Sequence, residues 1–330
     1  MLQAIVFGLS FILTMCQVPI TRIISKEQHM RLHHTKNHCI PIFDVLQDPY
    51  DDDKQIIVMP QLIDVEEPIF QTVGEVIDFF RQVFEGIQFM HENFVAHRDC
   101  WGPNIAQDPT LLFPFGVHPV YTFRDPTNRH SAYYITRTEC WPRYFLLDFG
   151  LSRRYDPSHG PPFEPVIRGG DQSPPEHRKL PLFCNPFPTD IYFLGNVLKE
   201  NFLFSRWVNG KRVRMSSLRF LEPLTIEMTQ QDPALRPTIG EVIERFDKLC
   251  TPLTEWHLRR PGQKTIRRIP PIPPYHPRTD TTPLSPSLRE FYTQIPASSV
   301  VQQEKIEAGP GLKADFTGSE SKSIAVESDG

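Results

Sequence analysis

Residues His97-Arg98-Asp99-Cys100-Trp101-Gly102-Pro103-Asn104 constrain this chain more than any other stretch. They place an imidazole, a guanidinium, a carboxylate and, five residues after the carboxylate, a carboxamide on one short loop. A carboxylate that orients an attacking hydroxyl and accepts its proton, beside an amide oxygen that ligates Mg²⁺, is a set that phosphoryl transfer uses. Such a loop works only if a rigid element holds it, and the preceding sequence supplies one. Thr72-x-x-Glu75 is a capping box. Val76, Phe79, Phe80, Val83, Phe84, Ile87 and Met90 then recur at helical spacing, which predicts an amphipathic helix with a buried face. Asn93 is placed to close that helix in a left-handed cap, and Phe94-Val95-Ala96 leads directly into His97.

Further signals follow in order. Asp148-Phe149-Gly150 ends the apolar run Tyr144 to Leu147, which reads as a buried strand. Pro174-Pro175-Glu176 lies beyond it, then Asp190 with Gly195, then Arg236-Pro237. Asp190 to Leu203, Phe220 to Thr229 and Ile239 to Leu249 read as helices, the last entered through Pro237 near a first-turn position. This order resembles the protein kinase catalytic core from its H-R-D-x-x-x-x-N loop onward. The resemblance covers about residues 38–262 and looks closest to a kinase-like family found in basidiomycete fungi.

The resemblance implies an α+β, protein-kinase-like two-lobe fold. Residues 26–62 would be the remnant of a β N-lobe with its hinge, and 63–262 a mainly helical C-lobe with an insertion at about 106–143. It implies Asp99 as catalytic base, with Asn104 and Asp148 holding Mg²⁺ against the phosphates of ATP. Met59 would sit at the back of the nucleotide cleft, with adenine meeting the carbonyl of Pro60 and the amide of Leu62; a proline suffices where only a carbonyl is needed. His97 and Phe149 would stack as internal scaffold, next to Gly150. Arg98 would answer a phosphate on the activation segment, Leu151 to Ser173, where Ser152, Tyr155, Ser158 and Ser173 are either phosphosites or plain hydroxyls. Asp190 would anchor the loop backbone to the long helix, and Glu176 and Arg236 would form a buried ion pair.

The front of the chain departs from that pattern. Kinases carry a glycine-rich loop over the phosphates and a lysine roughly ninety residues before the catalytic aspartate. Here Gly8 is the only glycine before Gly74, no lysine precedes Lys26, and Ile5-Val6-Phe7 stands where the lysine is due. Glu27 is the only candidate for that lysine's acidic partner, and Trp101 stands where a lysine usually approaches the γ-phosphate. The N-lobe therefore reads as truncated or divergent. The leading function is a protein kinase transferring phosphate to Ser or Thr of a protein substrate. The alternative is a catalytically impaired pseudokinase or scaffold. A small-molecule phosphotransferase of the aminoglycoside or choline kinase sort is opposed by Arg98, Phe149-Gly150, Glu176 and Arg236.

Composition narrows the setting. A net charge of -4 gives no electrostatic reason to expect nucleic acid or an anionic membrane. The 6 cysteines form no C-x-x-C pair, which suits reduced thiols in an intracellular protein. Ala4 to Cys16 is almost wholly apolar, but too short to span a bilayer comfortably and without the positive flank of a signal peptide, so secretion is disfavoured and residues 1–25 stay unassigned. His29, His33, His34 and His38 sit near Cys39 without a second ligand cluster, which favours a solvated helix end over a zinc site. Asp51-Asp52-Asp53 reads as a solvated turn. Pro109, Pro114, Pro119 and Pro126 punctuate the insertion, whose aromatics predict that it packs on the body. Residues 263–330 read as a disordered tail, in which Arg267-Arg268-Ile269-Pro270-Pro271-Ile272-Pro273 fits either an SH3-type partner or a stiff spacer.

Overall fold

Helix α1, Val73–Glu92, organises the chain. The computed structural model describes residues 5–6, 9–14, 36–51, 54–167, 169–178, 182–204, 206–208, 211–213 and 215–261. The Thr72 hydroxyl accepts from the Glu75 amide at 3.2 Å, and Glu75 Oε2 accepts from the Thr72 amide at 3.2 Å. Two orphan donors of the first turn are thereby satisfied reciprocally. All seven apolar positions expected on the inner face are buried. Phe79, Phe80 and Phe84 pack edge-on or stacked with Phe70, Tyr144, Phe202 and Phe246. Each such side chain contributes about 1.5–3 kcal/mol on burial, so this face is a principal source of stability. The left-handed residue comes one place later than expected. Asn93 has φ −95° and ψ 15°, and Phe94 has φ 58°. Asn93 closes the helix instead through its own side chain, whose Nδ2 donates to Phe89 O at 2.7 Å.

Ahead of α1 lies a four-stranded antiparallel sheet: β1 (Ile5–Val6), β2 (Leu9–Thr14), β3 (Asp44–Gln47) and β4 (Gln55–Pro60), in the order β1-β2-β4-β3. β4 pairs β2 from Leu9↔Pro60 to Thr14↔Gln55, and β3 from Asp44↔Val58 to Gln47↔Gln55. The stretch from Cys39 to Leu46 joins β3 only from Asp44 onward. Its first residues are drawn to a second sheet, where Ile40 N donates to Leu146 O at 3.1 Å and Cys39 bridges Leu146. The strand that flanks β4 on its other side is Leu9–Thr14, whose sequence contains no lysine. His38 is no solvated helix end: it is 2% exposed, with Nδ1 2.9 Å from Tyr144 O. His29, His33, His34 and the whole reading at 263–330 lie outside the described residues.

The second sheet has the order β5-β7-β8, with β5 (Ile63–Asp64), β7 (Ile105–Gln107) and β8 (Tyr144–Leu146). β6 (Val95–Ala96) pairs with β9 (Arg153–Arg154). β10 (Glu164–Pro165) pairs with β11 (Phe183–Cys184). The insertion is shorter than expected at its start, because Ala106 and Gln107 belong to β7. Its anchors are Leu112, Phe113, Val117 and Ala132, packed on Ile63, and the short helix α2 (Arg137–Cys140). The insertion packs on the body through these anchors, while its aromatics Phe115, Tyr121, Phe123, Tyr133 and Tyr134 are exposed.

Helix α3 (Pro186–Val197) begins four residues before the expected Asp190, because Asn185 caps it by accepting from Phe187 N at 3.1 Å. It continues as a π-helical turn over Leu198–Leu203. The helix expected at Phe220 divides into a 3₁₀ stretch, Ser216–Leu221, and α4 (Glu222–Met228). α5 (Ile239–Cys250) starts after the capping box of Thr238 and Glu241, followed by α6 (Glu255–Leu258). Among the described residues no helix is long and apolar enough to cross a membrane.

Candidate active site

The 97–104 loop is held from beneath by one buried carboxylate. Asp190 Oδ2 accepts from His97 N at 2.8 Å and Oδ1 accepts from Arg98 N at 2.7 Å, while His91 Nε2 lies 3.0 Å from Oδ2. Asp190 is 0% exposed, and charge-assisted hydrogen bonds of this kind are about twice as strong as neutral ones. α1 and α3 therefore position the loop jointly. Arg98 has φ 69°, an uncommon conformation for a residue with a side chain, and this turns the chain sharply before Asp99. The His97 ring lies 5.4 Å from the Phe149 ring, with Nε2 3.0 Å from Leu147 O. Burial holds the imidazole below its ordinary range.

Two elements bring Asp99, Asn104 and Asp148 to one place. β7 starts immediately after Asn104 and β8 ends two residues before Asp148, and Ile105 pairs with Leu146. Leu147 N also donates to Asn104 O at 2.9 Å, which locks the two strand ends together. Asn104 Nδ2 donates to Asp99 O at 2.8 Å and to Asp99 Oδ2 at 3.0 Å. With its nitrogen committed, Asn104 is left with Oδ1 as the atom for a hard cation. Asp148 sits in the left-handed region at φ 54°, ψ 71°, and its Oδ1 accepts from Gly150 N at 3.3 Å. Burial pushes the Asp99 carboxyl up from its usual range; the Gly170 amide and Asn104 oppose this, and Asp148 adds to it. A carboxylate and a carboxamide oxygen form an all-oxygen donor pair, which suits Mg²⁺.

The supporting residues fall as follows. Glu176 and Arg236 meet as a two-pronged pair, with Nη1 to Oε1 and Nη2 to Oε2 both at 2.7 Å. Thr189 Oγ1 also donates to Glu176 Oε1 at 2.8 Å. Burial pushes the Glu176 carboxyl up, but Arg236, with Thr189 and a backbone amide, offsets it and the net shift is downward. Among the described residues Arg98 meets a carboxylate of the segment that follows Gly150. Its Nη1 lies 3.0 Å from Glu164, which also takes Arg153 Nη1 at 2.6 Å and the Tyr155 hydroxyl. Ser152 is buried and donates to His97 O at 3.0 Å, whereas Ser158 is exposed. Met59, Pro60 and Leu62 are half-buried, at the end of β4 and in the turn toward β5, and Gln61 Nε2 donates to Pro119 O of the insertion at 3.3 Å.

Four residues make contacts that the sequence does not announce. Glu164 carries no motif. By the resemblance Gly169 and Gly170 read as substrate-facing sequence without the usual threonine, and nothing in that reading brings them to Asp99. Arg137 is 2% exposed and ties the insertion to the body through Val65 O, Gln107 Oε1 and the Tyr144 hydroxyl, with its guanidinium 4.0 Å from the centre of the Phe70 ring.

No family profile and no curated protein matches the sequence. Among solved structures the chain is similar to the twitchin kinase region from C. elegans (Fn31-NL-kin-CRD-Ig26), at 16% identity and a TM-score of 0.47. The match covers 76% of this chain and spans 42% of that one. A likeness of that grade does not assign a function, and the side chains of the site have to.

Proposed function

We propose that this chain is a protein-kinase-like phosphotransferase, with ATP and Mg²⁺, whose acceptor is a serine or threonine hydroxyl of a protein. The observation that carries the reading is the meeting of Asp99, Asn104 and Asp148 where β7 and β8 end together, over a loop pinned by Asp190. Backbone strain points the same way. Among the described residues five non-glycine residues have positive φ, and Arg98 and Asp148 are two of them. Strained conformations persist where surrounding structure over-determines them, which is commonest at functional sites.

In this reading Asp99 orients the acceptor hydroxyl and takes its proton. Asn104 holds that carboxylate through Nδ2 and offers Oδ1, with an oxygen of Asp148, to the metal. Mg²⁺, when bound, would neutralise charge on the phosphate oxygens. Met59, Pro60 and Leu62 would border the base of the nucleotide. A second reading, a scaffold with little catalysis, is favoured by the composition of β2, Leu-Ser-Phe-Ile-Leu-Thr, and by Trp101 in place of a cation. Each missing positive donor is commonly worth about 3–4 kcal/mol in a transition state, so the chemical step would be slow. Transfer of labelled phosphate from Mg-ATP to a mixed protein substrate, compared between this chain and Asp99→Asn, tests the reading. Signal from the first and not the second is expected; equal signals would remove Asp99 as base.

A further inference from the structure

The candidate base is approached from outside its own loop by two consecutive glycines. A Cβ on Gly169 would fall 2.1 Å from Asp99 Oδ1, and one on Gly170 would fall 2.0 Å from Trp101 Cε2 and 2.4 Å from its Nε1. Both distances lie far inside van der Waals contact, so the backbone itself rests on the carboxylate and on the indole face. Neither glycine has a positive φ. These positions require the absence of a side chain, not the freedom of a left-handed backbone. The close approach lets Gly170 N donate to Asp99 Oδ1 at 2.8 Å while Asn104 Nδ2 occupies Oδ2 at 3.0 Å. The residues that follow are tethered to α3: Asn196 Nδ2 donates to Asp171 Oδ2 at 2.7 Å, and the Tyr192 hydroxyl donates to Ser173 O at 3.3 Å.

We propose that Gly169 and Gly170 form a backbone clamp, seated on Trp101 and tied to α3, which fixes the orientation of the Asp99 carboxylate and makes Gly170 a positioning residue for it. A carboxylate at the tip of a loop side chain turns about two torsions, and one donor on each oxygen from two different elements removes both freedoms. Each oxygen keeps a lone pair, so the clamp leaves Asp99 able to accept a further proton. Trp101 in this account supplies the surface against which the glycine backbone closes, which explains a large indole where a cation would otherwise stand. The role of Asp99 as base rests on the function proposed above; the clamp does not.

Residue-resolved amide hydrogen exchange on the full chain tests it, with α1 amides as the control for folding. The Gly170 amide should exchange slowly. Gly170→Ala should speed exchange at residues 170–171 by about tenfold or more, since one lost hydrogen bond in a locally opened segment is worth about that factor. Asp99→Ala, which deletes the acceptor and adds no bulk, should expose the Gly170 amide with α1 intact. Undiminished protection in Gly170→Ala or in Asp99→Ala, in a chain whose α1 amides stay protected, overturns the clamp. In phosphate transfer Gly170→Ala should lower kcat with KM for ATP unchanged, and a change confined to KM overturns the positioning role. The expected exchange pattern in a chain that transfers no phosphate leaves the clamp standing and refutes the base, so the two readings fail separately.

Discussion

The Glu176–Arg236 pair shows how much depends on single side chains here. Arg236 is 0% exposed in its side chain, and it also donates to Pro188 O and Gln230 O. Removing one member leaves the other charged and buried, so Arg236→Met or Glu176→Gln should each cost about 3–5 kcal/mol by chemical denaturation. Removing both together should cost less than the sum, because no lone charge then remains in the interior. His38 makes a different kind of statement. Burial depresses its pKa from 6.5 to about 4, and Glu85 at 3.6 Å offsets only part of that. The folded state thus holds neutral imidazole while the unfolded chain binds a proton near pH 6.5. Stability from this group is intact above that pH and declines progressively as pH falls toward 4, by about 3 kcal/mol at the limit. Urea midpoints at pH 7 and pH 4.5 should diverge in the native chain and converge in His38→Gln. An equal pH slope in both would assign the effect to another group.

At the scale of elements, periodicity and capping were legible, and closure of chain distant in sequence was not. Thr72 and Glu75 announced α1, and Thr238 and Glu241 form the same box at α5, because a capping box is a local transaction between residues three apart. Asp190 is a different case: its anchoring role was an expectation of the kinase resemblance, and no local propensity carries it. By contrast, whether Cys39 joins β3 or bridges β8 depends on Leu146, more than a hundred residues away, and no local pattern carries that. Glu164 and the glycine pair were missed for the same cause, since each acquires its role by meeting Arg98 or Asp99 across the fold. Gly86 illustrates how such contacts constrain a helix. It lies mid-α1, where alanine would ordinarily gain about 1 kcal/mol in helix propensity. A Cβ there would come 2.8 Å from His38 Cβ and 3.1 Å from Leu146 Cδ1. Overpacking against a buried chain crossing costs about 1–3 kcal/mol, and His38 Cβ has no flexible end to yield, so the clash wins. Gly86→Ala should lower the thermal midpoint, whereas Gly240→Ala in α5, with open space around its Cβ, should not.

At the scale of the whole molecule, the parts that would hold metal and the parts that would hold phosphate are unequally provided. Asp99, Asn104 and Asp148 stand on interlocked strand ends, whereas β2 brings no cation to the sheet beside β4. Nucleotide binding should therefore be weak and should depend on the metal. If the loss of positive donors leaves a dissociation constant of about 1 mM, 10 mM Mg-ATP would stabilise the fold by about 1.4 kcal/mol through mass action. For a body of this size that corresponds to about 3–5 °C in the thermal midpoint. ATP with chelator should give much less, because the phosphates would then meet Asp148 without a bridging cation, and like charges repel. Asp148→Asn should abolish the metal-dependent part while leaving the midpoint without nucleotide nearly unchanged, since the Asp148 side chain is exposed. A shift of equal size with and without Mg²⁺ would place the nucleotide elsewhere on the surface. No shift at any millimolar concentration, in a chain whose Glu176–Arg236 pair and α1 are intact by exchange, would leave the scaffold reading in its place.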